Sequence, residues 1–202
     1  CLNLNKMITI TIDKESLRSI RNLQQRDVEY NGQIVTNSHG DVDHITSQQG
    51  QVMQKCFTGC ILNYHTHPPD YTNLYPDHPS TTDMKYIYSA TCANKELGSH
   101  LIFTPKFIYV IRYDCPSWIS RSVNLIALRY RVDSLFEKLA NSYDRSTESF
   151  RKEWIGGLHK IGFVIYTFTY SDKIVFETPQ GESSYSYIFI MLLLIFIYFF
   201  SL

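Results

Sequence analysis

Four of the chain's seven prolines fall within the twelve residues from Pro68 to Pro79. Proline has no N–H to donate and a fixed φ, so neither a helix nor a sheet ladder can run through such a stretch. The fold must therefore change element there. Before the prolines lies the apolar run Cys56 to Tyr64, the right length for a buried strand. After them, Ser80 can cap a helix that should extend to about Asn94.

The rest of the chain reads in short elements. Residues 7–12 alternate apolar and polar, as a half-buried strand does. Asp13 caps a following helix to about Gln25, with Leu17, Ile20 and Leu23 as its apolar stripe. Val28 to Val35 is a second strand candidate, interrupted by Asn31-Gly32. Residues 37–51 read as a loop or a weak strand pair. Leu101–Phe103 and Phe107–Arg112 form two strands joined through Thr104-Pro105-Lys106. Val123 to Ala140 carries an amphipathic stripe at Leu125, Leu128, Val132, Leu135, Phe136 and Leu139. A further helix places Phe150, Trp154 and Leu158 four apart, and Gly156-Gly157 should weaken its end. Residues 162–170 and Ile174 to Thr178 predict a closing hairpin. The expected class is α/β or α+β, one mostly antiparallel sheet flanked by helices.

The densest polar cluster brackets the prolines. His65 and His67 are two apart, so on extended backbone both imidazoles share one face. Asp83, one turn into the next helix, can supply a third ligand. Two imidazoles and a carboxylate suit zinc with a fourth position open to water, and such a site makes water acidic enough to attack a carbonyl at neutral pH. Ser80-Thr-Thr-Asp83 is equally the pattern of a helix capping box, which needs no metal.

Taken together, Glu29, His65-Thr66-His67-Pro68 and Ser80-Thr81-Thr82-Asp83 resemble the motif of the JAMM (JAB1/MPN/Mov34) metalloproteases: Glu, then His-Ser/Thr-His-Pro, then Ser-x-x-Asp. The order of elements is similar too: strand and helix, Glu29-Tyr30-Asn31-Gly32, the His-x-His strand, the Ser-x-x-Asp helix, then a hairpin. The resemblance covers roughly residues 8 to 113. It implies a JAB/MPN-like fold and a zinc-dependent peptidase or isopeptidase, with ubiquitin or ubiquitin-like conjugates as substrates. By that match His65, His67 and Asp83 bind one zinc, Glu29 is the general acid/base, and Ser80 stabilises the oxyanion. In one respect the chain departs from the pattern. The family has about seven residues where this chain has twelve between His67 and Ser80, an insertion whose entropic cost grows only slowly with length. The insertion brings Asp70, Asp77 and His78 close to the expected metal, with two alternatives open: one of them caps the water position, making the chain an inactive MPN-type scaffold or ubiquitin-binding module in a membrane-associated complex, or they shape substrate entry.

Composition narrows the partners. Nineteen basic and nineteen acidic residues give a formal net charge of zero, which excludes a nucleic-acid binder acting through overall charge. Five cysteines (Cys1, Cys56, Cys60, Cys92, Cys115) at irregular spacing, with no secretory leader pattern ahead of the first strand, predict reduced thiols and a protein that is not secreted. From Tyr185 to Leu202 every residue except Ser186 and Ser201 is apolar or aromatic. At the helical rise that is about 27 Å, close to the thickness of a bilayer core. The expected organisation is a metallopeptidase domain over 7–180 and a tail, 181–202, whose hydrophobic helix at 185–202 anchors the domain to a membrane facing the cytosol.

Overall fold

The computed structural model describes residues 7–50, 62–69, 77–93, 98–114 and 121–179. The chain opens with strand β1 (Met7–Ile12) and helix α1 (Lys14–Gln24). Asp13 caps α1 through a 2.7 Å hydrogen bond from the Ser16 backbone N–H. Strands β2 (Tyr30–Thr36), β3 (Val42–Ile45), β4 (Gln48–Gln49) and β5 (Leu62–Thr66) follow. Helix α2 (Thr81–Tyr88) continues as a π-helical turn, Ser89–Ala93, and then come β6 (Ser99–Phe103) and β7 (Phe107–Tyr113). Helices α3 (Arg121–Ala140) and α4 (Glu148–Ile161) and strands β8 (Phe163–Thr169) and β9 (Ile174–Pro179) complete the described chain.

The class is mixed α+β, with a mostly antiparallel main sheet in the order β3-β2-β5-β6-β7-β8 and β4 added against β2. Its parallel step is β5 to β6. Parallel neighbours need a long crossover, and the prolines, α2 and the π-turn supply it. Helices α2, α3 and α4 cover one face, where Met84, Ile87, Val132, Phe150 and Trp154 pack against Ile102, Tyr109, Ile111 and Phe163. On the other face Ile10, Ile12, Leu17, Ile20 and Phe176 meet Ile34, Leu62, Tyr64, Leu101 and Phe103.

Several expectations need correction. Strands β8 and β9 are not a hairpin: β8 pairs along its whole length with β7, whereas β9 pairs with β1 in a second, two-stranded sheet. The single expected sheet is therefore two, because the chain ends described here return to each other over the α1 face. Strand β2 runs straight through Asn31-Gly32. Gly32 is needed there for space, since a Cβ would stand 1.9 Å from the Thr46 carbonyl oxygen. Helix α4 is not ended by Gly156-Gly157. A Cβ on Gly157 would come within 2.5 Å of Leu135, so the missing side chain lets α3 and α4 approach closely. The strand expected from Cys56 is described from Leu62 onward, and its earlier residues lie outside the described set. The same holds for Asp70, for the side chains of all five cysteines and for the expected apolar tail helix at 185–202. No helix among the described residues is long and apolar enough to cross a membrane.

Candidate metal centre

The alternation of β5 decides which side chains reach the helical face. Leu62 and Tyr64 enter the core beneath α1, so His65 points the other way, toward α2. His67, just past the strand, keeps that side. Its backbone is fixed from two directions: its N–H donates to the Phe103 carbonyl at 2.8 Å, and its carbonyl accepts from the buried Gln24 side chain at 3.0 Å.

The two imidazoles converge on Asp83 at the start of α2. His65 Nε2 lies 3.0 Å from His67 Nε2, 3.3 Å from Asp83 Oδ1, and His67 Nε2 lies 3.4 Å from Asp83 Oδ2. All three residues are buried. Bond lengths of about 2.0–2.1 Å in a tetrahedral zinc site separate ligand atoms by about 3.3–3.4 Å, so the observed triangle can hold such an ion with little adjustment. The donor set, two borderline nitrogens and one oxygen, fits zinc as well.

The capping box and the ligand set are one structure. Asp83 Oδ2 accepts the Ser80 backbone N–H at 2.7 Å, and the Asp83 backbone N–H donates to Ser80 Oγ at 3.1 Å. Burial would raise the pKa of the Asp83 carboxyl, but His65 and His67 reverse that and hold it well below the usual carboxylate range. Asp83 is thus ready as an anion.

Ser80 Oγ accepts one hydrogen bond in the cap and keeps its own proton to donate. Asn31 stands opposite His65 in the antiparallel β2–β5 pair, and the Tyr30 N–H donates to Thr66 Oγ1 at 2.9 Å. Glu29 directly precedes Tyr30, just outside β2, and its carbonyl accepts the Gly50 N–H at 3.0 Å. It is half-buried, and its carboxylate makes no hydrogen bond or ion pair among the described residues.

The inserted loop does not supply a fourth ligand from its described end. Asp77 directs its carboxylate to Lys106 Nζ at 2.6 Å, and its carbonyl accepts from the Tyr109 hydroxyl. The His78 ring packs against Phe150 and Phe136, and its Nδ1–H donates to the Pro79 carbonyl at 3.1 Å. Burial pushes the His78 pKa down.

Two residues of the site were missed in the sequence. His100 is fully buried on β6, with its Nε2 2.7 Å from His65 Nδ1; burial holds its pKa well below the ordinary histidine range. Asn31, nearly fully buried, sits opposite His65 and donates to the Gly50 carbonyl. Its place inside Glu29-Tyr30-Asn31-Gly32 was the available signal for Asn31. For His100 the only one was a histidine in an otherwise apolar strand.

Neither family models, curated proteins nor solved structures yield a match to this chain.

Proposed function

We propose that this chain is a zinc-dependent hydrolase of amide or isopeptide bonds, a JAMM/MPN-type peptidase acting on ubiquitin-like conjugates. The observation that carries it is the buried triangle of His65 Nε2, His67 Nε2 and Asp83, with sides of 3.0 to 3.4 Å. His65, His67 and Asp83 would hold the ion. Zinc bound there supplies a Lewis acid and lowers the pKa of water.

The chain's own groups account for the proton traffic. Glu29 takes a proton from the attacking water and returns it to the leaving amine, so that one water and one amide give a carboxylic acid and an amine. Ser80 donates its hydroxyl proton to the oxygen that becomes negative as the carbonyl carbon turns tetrahedral. Asp77 and His78 lie outside the group of His65, His67 and Asp83 whose ligand atoms converge within 4.8 Å, which favours an open fourth position over a capped, inactive scaffold. The tail 185–202, by its composition, would hold this activity at a membrane facing the cytosol.

A panel of differently linked di-ubiquitins, assayed with and without a chelator, tests the proposal. Wild-type protein should cleave at least one linkage in a zinc-dependent way, and Glu29→Gln should keep zinc while losing turnover. Binding of di-ubiquitin without cleavage by zinc-loaded protein would move the chain to the scaffold class.

A further inference from the structure

His100 occupies a strand position where packing alone would select an apolar residue. Leu101, Ile102 and Phe103 on the same strand are all fully buried. Strand β6 runs parallel to β5 with His100 opposite Asn63 and Ile102 opposite His65, so His100 and His65 lie on one face. Their rings are 4.9 Å apart, and Nε2 of His100 is 2.7 Å from Nδ1 of His65. Nδ1 of His100 is buried with no hydrogen-bond partner among the described residues. A histidine held at such a cost to its far nitrogen points to the work of its near one.

Two nitrogens at that distance share one proton. If His65 offers the Nε2 lone pair to a metal, its own proton is on Nδ1, and the group facing Nδ1 must be an acceptor. The geometry points to His100 as a positioning residue: its Nε2 accepts the Nδ1 proton of His65 and fixes the tautomer and ring plane in which His65 Nε2 faces a divalent metal. A hydrogen-bond acceptor on the second ring nitrogen commonly orients a metal-bound imidazole. This inference rests on the metal reading proposed above, and it adds a residue that the motif does not contain.

The test is zinc affinity by chelator competition on the full chain, together with the visible absorption of the cobalt-substituted protein. His100→Gln puts an acceptor oxygen near the position of Nε2, whereas the shorter His100→Asn cannot reach His65. His100→Leu removes the acceptor at similar volume. His100→Leu and His100→Asn should bind zinc about 10–100-fold more weakly and shift the cobalt bands, while His100→Gln stays close to wild type in both. If His100→Leu does not fold, the comparison of Asn with Gln decides alone. Folded His100→Asn with wild-type affinity and spectrum, or Gln losing as much as Asn, overturns the role of His100. Wild-type protein that binds no zinc overturns the metal reading and this inference with it.

Discussion

Asp83 Oδ2 accepts the backbone N–H of Ser80 at 2.7 Å while lying 3.4 Å from Nε2 of His67. A single oxygen therefore ends the proline loop, starts α2 and faces the imidazole that the loop separates from it in sequence. Removing this oxygen disturbs the capping box and the candidate metal site together.

Substitutions at Asp83 should separate the two roles. Purified protein is expected to carry about one zinc per chain, lost in His67→Ala, Asp83→Ala and Asp83→Asn alike. Asparagine keeps an oxygen for the Ser80 N–H, so zinc-free Asp83→Asn should be more stable than zinc-free Asp83→Ala by about 1 kcal/mol. Metal analysis and urea unfolding measure the two effects. Full zinc in His67→Ala would remove the site.

Acid should weaken the metal-free fold in two steps. His78 and His100 have folded pKa values lowered by burial, so below about pH 6.5 the unfolded chain takes up protons that the native chain refuses. The stability these two neutral rings allow is complete above that pH and is lost as pH falls toward their folded values. Asp83, also depressed, contributes above the ordinary carboxylate range and is lost only at lower pH. Urea unfolding of chelator-treated protein at pH 7.5 and pH 5 should show lower stability at pH 5. His78→Phe should flatten the slope by at most about 1.4 kcal/mol per pH unit. An unchanged slope would place the His78 proton elsewhere.

Trp154 should couple α4 to the site. It is fully buried, packs edge-on to Phe136 with centroids 5.4 Å apart, and donates its indole N–H to the Pro79 carbonyl at 2.9 Å. Trp154→Ala should cost about 3–5 kcal/mol. Trp154→Phe keeps most of the packing and removes the donor beside Ser80, so it should weaken zinc binding while the melting temperature stays close to wild type. Equal zinc affinity in Trp154→Phe and wild type would confine Trp154 to packing.

The tail makes a separate prediction. A span at 185–202 should keep the full chain on membranes through carbonate extraction, while a 1–184 chain washes off. Release of both would leave the apolar stretch without a membrane role.

Local chemistry made much of this legible in the sequence. Asp13 and Ser80 mark helix starts because the caps lie within three residues of their partners. The histidine pair was legible because strand alternation needs no tertiary information. The partner of β9 was not: a Ser-Asp-Lys turn between two β-rich runs reads as a hairpin, yet pairing with β1 depends on where the whole main sheet puts the two segments. Propensity marks Gly156-Gly157 as a weak point but says nothing of Leu135 on the facing helix, for which Gly157 leaves space. His100 stayed hidden because only the parallel β5–β6 register brings it to His65.

The two feet of the proline loop are held independently of whatever lies between them. His67 is tied to Phe103 and Gln24 on one side; on the other, Asp77 is tied to Lys106 and Tyr109, and the Pro79 carbonyl receives both His78 and Trp154. The two feet thus form a fixed mouth. Foreign peptides spliced between the two feet should leave the mouth unchanged, which makes this loop a natural graft point for re-addressing the chain to new targets.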